Sequence, residues 1–183
     1  KNNIVLRAFE VEHTVPAFGY VVVEKRSKLK DEYSGLPQEK LRELKDRGMD
    51  ITRQLQVPLV AHLGDTQPGP QLVRDDVRKA QIVICECTFT EPEHRERAKV
   101  GMHMYAEAVA EWLRVLECQH LVLTHVSRRT NLGFARKRMT ELAGPQLMQR
   151  VHFLMDYRVN RERYERQVAE AGDAVAKAGV EDE

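Results

Sequence analysis

From residue 57 onward, short apolar runs alternate with stretches of helical periodicity, and this alternation limits the chain to a layered α/β arrangement. "QVPLVAHL" reads as a strand delivering Gly64-Asp65-Thr66, and "QLVRDDVRKA" as a short amphipathic helix. "QIVICECTF" is continuously apolar enough to be a strand covered on both faces. "MYAEAVAEWLRVLE" repeats apolar residues at helical spacing (Ala106, Val109, Ala110, Leu113, Leu116). "HLVLTHV" is a strand ending at His125, "NLGFARKRMTELAG" a helix stopped by Gly144-Pro145, and "VHFLMDYR" a final strand. Ahead of this series, "IVLRAFEVEH" and "GYVVVEK" read as a hairpin joined by "TVPAF", and "PQEKLRELKDRG" as a short helix opened by Pro and closed by Gly48. "EPEHRERAKVG" is expected to be a charged, mobile segment. Residues 1–158 are expected to form one domain and 159–183 a charged tail, helical over "RERYERQVAEA".

Composition narrows the function classes. A formal net charge of +1 over 183 residues supplies no global basic field, so contact with nucleic acid must come from a local patch. No apolar run approaches the roughly 20 residues of a membrane span, and no signal peptide is visible, so no membrane partner is expected. Cys85, Cys87 and Cys118 are odd in number, and Cys85-Glu86-Cys87 falls on a buried strand. That pattern suits a reducing compartment, with a cytoplasmic location expected.

His13, Asp65 and His125 each close a predicted strand, and strand ends that meet on one rim are where α/β proteins build sites. Imidazole and carboxylate suit zinc or a similar ion, and a carboxylate can bridge two of them. Each residue also has a structural alternative: Asp65 as a turn or cap residue, His13 as a turn histidine, His125 as a strand cap or a partner of Ser127. His62 is expected to pack mid-strand, His94 and His120 to lie on the surface, and His152 to sit within an apolar strand. Glu86 stands inside an apolar strand, where a carboxylate is costly unless paired. His103, at the start of a helix, is its expected partner; such a pair fixes the imidazole tautomer and raises its basicity, as general acid chemistry requires.

The ordered set "EHTVPAFGYVVVE", "GDT", "CECTF", His103 and "LTHVSRR" resembles the ribonuclease Z family, transfer-RNA 3′ endonucleases of the metallo-β-lactamase fold, from about Val11 to Arg129. The resemblance implies an αββα sandwich of which this chain supplies the C-terminal half. It implies His13 as a zinc ligand, Asp65 as the aspartate bridging two zinc ions, and His125 as a ligand of the second. It implies Glu86 and His103 as the proton-donating pair, acting with Asp65 in catalysis, and Thr88, Ser127 and Arg129 as substrate-binding residues.

The departures are specific. His-x-His-x-Asp-His, the family's main metal motif, is absent from these residues and is expected upstream of His13, as is the substrate-binding arm. Cys85 and Cys87 replace the His and Ala flanking the glutamate, Met104-Tyr105 a small polar pair, and Thr130 a tyrosine. The expected function is a zinc-dependent phosphodiesterase or endoribonuclease acting on transfer-RNA precursor 3′ ends. The alternatives are a hydrolase of a small phosphodiester or ester, or an inactive half used as a pairing module. A homodimer is an expectation that the sequence leaves open.

Overall fold

The computed structural model describes residues 3–127, 129–154, 157, 161–162 and 164–169. Six strands form one sheet in chain order: β1 (Ile4–Val11), β2 (Ala17–Leu29), β3 (Thr52–His62), β4 (Ile82–Glu86), β5 (His120–Thr124) and β6 (Val151–Phe153). The first three are antiparallel neighbours, and β3 to β6 are parallel. Because β1 and β3 both oppose β2, β1 runs in the same direction as β3, β4, β5 and β6. Five strands therefore end on one rim. The β2–β3 register shifts between Val22, paired with Val60, and Val23, paired with Pro58, so the unpaired Leu59 forms a bulge beside a residue that has no amide hydrogen to donate.

The crossovers carry the helices: α1 (Gln38–Asp46), α2 (Asp75–Arg78), α3 (Arg95–Gly101), α4 (Ala106–Leu113), α5 (Leu132–Ala143) and α6 (Pro145–Met148). Asn131 caps α5, its side chain accepting from the amides of Gly133 and Phe134, and Pro145 follows Gly144 to end it. Alternation along the strands sends Phe9, Val21, Val23, Ala61, Val83, Leu121, Leu123 and Phe153 into one core with Val109, Leu113 and Met139 of the helices. The opposite face stays open, with Leu6 63 %, Phe18 49 % and Tyr20 42 % exposed. Among the described residues the sheet is thus covered on one side only, and it presents an apolar face for a further layer.

Several expected elements take other forms. Residues 95–101 are helical rather than a mobile segment. The helix expected from His103 is shorter, since it begins only at Ala106. Where one helix was expected after Gln71, a 3₁₀ turn (Pro70–Val73) precedes α2. β4 is less fully covered than expected, because Ile82 and Ile84 lie on the open face and are only half-buried. The last strand stops at Phe153, and Met155, Asp156 and Arg158 lie outside the described residues. Residues 161–162 and 164–169 are helical, and the rest of the expected tail lies outside the described residues.

Candidate active site

The common rim gathers the chemistry. His13 lies two residues beyond β1 and Asp65 three beyond β3; Glu86 is the last residue of β4, and His125 directly follows β5. His103 arrives from the segment between α3 and α4. Gly64 turns the chain after β3 with φ +69°, a conformation that disfavours a Cβ. The next residue but one, Thr66, is fully buried and ties the rim together. Its hydroxyl donates to Glu12 O (3.0 Å), its amide donates to Glu86 Oε1 (2.7 Å), and Gln71 Nε2 donates to its hydroxyl (2.9 Å). Among the described residues, only Met102 (φ 54°) and His125 (φ 52°) are non-glycines with positive φ, and both are at this rim.

Glu86 is the hub. Its side chain is 0 % exposed, and three donors compensate the cost of burying its charge. His103 Nδ1 lies 2.8 Å from Oε1, which also accepts the Thr66 amide, while Oε2 accepts the Thr88 hydroxyl. The Thr88 hydroxyl spends its only proton on Glu86, so its contact with His125 Nδ1 at 2.8 Å places a proton on that nitrogen. A chain His125 Nδ1–H to Thr88 O–H to Glu86 results, with His103 on the other carboxylate oxygen. His13 Nδ1 faces Met102 O at 3.1 Å; a carbonyl only accepts, so this nitrogen too carries the proton.

Both histidines are therefore in the tautomer that leaves a lone pair on Nε2, as metal-ligating histidines are when the other nitrogen is held by a protein acceptor. Asp65 is 47 % exposed, with Oδ1 3.7 Å from His125 Nδ1. The His13 and His103 ring centroids are 5.0 Å apart, and those of His103 and His125 are 5.2 Å apart. His13, Asp65, Glu86, Thr88, His103 and His125 thus form one cluster, and the donor chemistry of His13, Asp65 and His125 fits a metal such as zinc. Glu86, His103 and His125 also have ligand-type atoms within 4.8 Å of one another. Both oxygens of Glu86 are already engaged, however, and we read that trio as a hydrogen-bonded relay rather than a ligand set.

A cleft of about 620 Å³ opens beside His125, with Thr88, Ser127 and Arg129 in its wall. His94, expected on the open surface, is only 30 % exposed in its side chain and lines this cleft with Arg97. Glu91 joins the two loops around it, accepting from the Thr90 and Thr130 hydroxyls at 3.2 and 3.0 Å and facing His94 Nδ1 at 3.4 Å. Burial pushes the Glu91 carboxyl up, but hydrogen bonds from Thr130, its own amide, Thr90 and His94 outweigh it and hold it below the ordinary value. His62 ends β3 and is exposed rather than packed mid-strand, and His120 and His152 pair at 3.0 Å across β5 and β6. Cys85 and Cys87 are free and fully enclosed, and burial raises both thiols, Cys85 well above the ordinary range, so they are inert packing groups. Thr66 and the Met102 carbonyl were not anticipated as site groups. "GDT" carried a signal for the first; nothing in the sequence marks the second.

No family model matches the chain. It is 29% identical to the chloroplastic tRNase Z TRZ2 of Arabidopsis thaliana, over 78% of this chain and 41% of that protein. It is 31% identical to tRNase Z TRZ1 of the same plant, over 70% of this chain and 47% of that protein. With the ribonuclease Z of Ignicoccus hospitalis the identity is 34%, over 69% of this chain and 47% of that protein. Among solved structures, a metallo-β-lactamase fold protein of Bacillus subtilis superposes with a TM-score of 0.52 at 12% identity, covering 82% of this chain and 47% of that one. The chain spans about half the length of the curated relatives it matches. By these matches and by the order of its motifs, the chain belongs to the ribonuclease Z family and has the metallo-β-lactamase fold.

Proposed function

We propose that this chain carries part of the active centre of a zinc-dependent endoribonuclease that cleaves the 3′ ends of transfer-RNA precursors. The carrying observation is the hydrogen-bonded series His125–Thr88–Glu86–His103 on the rim where His13 and Asp65 also arrive. His13, Asp65 and His125 would hold metal; a bound zinc ion supplies Lewis-acid polarisation and lowers the pKa of water. Glu86 fixes the His103 ring through Nδ1, which leaves Nε2 to give a proton to the departing oxygen. Thr88 holds His125 in its ligating tautomer. Arg129 and Ser127 would contact the phosphate from the cleft wall. A catalytic zinc has about three protein ligands of its own, so a two-ion centre needs donors beyond these three residues. His-x-His-x-Asp-His, absent here, would supply them. The three buried thiols support a reducing compartment such as the cytoplasm, and no described helix is long and apolar enough to cross a membrane.

A second reading, hydrolysis of a small phosphodiester, has one observation in its favour. Thr130, where the family carries a tyrosine, spends its hydroxyl on Glu91 rather than on a ligand. The test uses a protein carrying these residues together with a His-x-His-x-Asp-His segment. Zinc content is measured with cleavage of a transfer-RNA precursor bearing a 3′ trailer and of bis-nitrophenyl phosphate. We expect bound zinc, trailer cleavage, and loss of both in His125→Ala. Trailer cleavage that survives zinc removal or His125→Ala would overturn the reading, and activity on the small ester alone would favour the second.

A further inference from the structure

His120 and His152 take no part in the rim cluster, yet they bring two ring nitrogens together at the other end of the sheet. His120 opens β5, and His152 is the middle residue of the short β6. The register pairs Leu121 with Val151 and Val122 with His152, so the two histidines are diagonal neighbours. The flanking Leu121, Val151 and Phe153 point into the core, which leaves both histidines on the open face, His120 exposed and His152 half-buried. His120 Nδ1 lies 3.0 Å from His152 Nε2, with ring centroids 5.0 Å apart and planes inclined by 52°. Ile82, which pairs with His120 from β4, and Val122 beside His152 are apolar, so neither strand neighbour sets a cation against the pair. His120 is separated from His125 by the length of β5, about 17 Å at about 3.3 Å per residue, so the pair cannot share an ion with the rim.

Two neutral imidazoles this close hold a single proton between them, one ring donating its N–H and the other accepting. The same separation suits a metal. Zinc–nitrogen bonds of about 2.0–2.1 Å put two neighbouring ligand atoms about 2.9 Å apart at a right angle and about 3.3 Å apart at the tetrahedral angle. The observed 3.0 Å falls between these, and imidazole is a ligand type that zinc favours. We propose that His120 and His152 form a two-histidine chelate for zinc, separate from the rim, that fastens β6 to β5. The bridging proton moves through water to the other nitrogen of its own ring, so both ligands stay neutral and no net proton is released. Among the described residues no carboxylate, thiol or third imidazole joins the pair. Water fills the remaining positions, and the ion stays open to exchange. Among the described residues β6 has β5 as its only strand neighbour, so zinc here supports a strand with few ladder bonds of its own.

The test is zinc titration of this chain, followed by calorimetry and by long-range ¹H–¹⁵N correlation of the histidine rings at a pH where they are neutral. Zinc should perturb His120 Nδ1 and His152 Nε2 together, and should do so equally when His125→Ala has removed the rim histidine. In that background His120→Gln and His152→Gln should each abolish the calorimetric event, and the double variant should lose nothing further, because one nitrogen makes no chelate. His62→Gln, at another exposed histidine of the sheet, should keep it. Zinc at 100 times its dissociation constant should lower the unfolding equilibrium constant about 100-fold, an effect absent from both Gln variants. Zinc that shifts only one of the two rings, that leaves both unshifted at millimolar concentration, or that stabilises the Gln variants as much as their parent would overturn the proposal. The ring spectra need no substitution at either histidine, so they decide the matter even where a variant folds poorly.

Discussion

Glu86→Gln exchanges one carboxylate oxygen for an amide nitrogen with little change in shape, at a side chain that is 0 % exposed. The amide oxygen must take the Oε1 position, because two donors converge there, the Thr66 amide at 2.7 Å and His103 Nδ1 at 2.8 Å. The new nitrogen then faces the Thr88 hydroxyl, which can no longer donate to it. Thr88 must accept, and its proton turns toward His125 Nδ1. His125 is forced into the opposite tautomer, with hydrogen on Nε2 and no lone pair there for a metal. Hydrogen bonds to a charged group contribute about 1.5–3 kcal/mol each and neutral ones about 1. Since every donor is still paired, the stability loss should be about 1–3 kcal/mol. Glu86→Ala leaves the Thr66 amide and the Thr88 hydroxyl unpartnered and should cost about 4 kcal/mol or more. Metal affinity should fall about 10- to 100-fold in Glu86→Gln, as when a residue behind a ligand is lost. Long-range ¹H–¹⁵N correlation of the His125 ring, at a pH where it is neutral, reads the tautomer without needing metal, and urea denaturation reads the stability. If His125 keeps its Nδ1 proton in Glu86→Gln, the relay argument is refuted.

In a protein that includes the His-x-His-x-Asp-His segment, His103→Ala should leave zinc content intact and slow RNA cleavage by about 10²–10⁴-fold. The loss should shrink on a nitrophenyl ester, whose leaving group needs no proton, and an equal loss on both substrates with zinc depletion would make His103 a ligand. The 183 residues by themselves should hold zinc weakly and show negligible phosphodiesterase activity; two tightly held ions found by mass spectrometry would contradict this. Gly19→Ala should destabilise the hairpin by about 1–3 kcal/mol, because a Cβ there would lie 2.4 Å from the Phe9 ring and 3.1 Å from His62 O, and an unchanged denaturation midpoint would count against it. Glu91, held below its ordinary 4.5 when folded, stabilises above that pH and loses its contribution as pH falls through the lower folded value. Glu91→Gln should therefore lose less stability than the wild type as pH falls below the ordinary 4.5, and parallel acid-unfolding curves would show otherwise.

Local pattern was sufficient for the layering and for the residues at the strand ends. Apolar runs of strand length separated by helical periods specify which segments pair and which cross over. The polar residue that stops each run marks the rim, so His13, Asp65 and His125 were legible before any coordinates. Glu86 was legible for the opposite reason: a buried carboxylate has to find donors, and a histidine is a ready one. Helix α3 was not legible, since only Ala98 of its seven residues is buried and no apolar stripe announces a helix. His94 was misplaced on the open surface because one histidine in a charged run has no periodicity to place it. The tautomers and the cleft belong wholly to the tertiary structure. His13 finds its acceptor 89 residues away, at a carbonyl held by a left-handed Met102, and backbone carbonyls and amides such as those of Met102 and Thr66 leave no trace in residue type. Sequence records which side chains are polar and at what spacing; which hydrogen bond each one makes depends on which chain ends the sheet brings together, and only the folded sheet decides that.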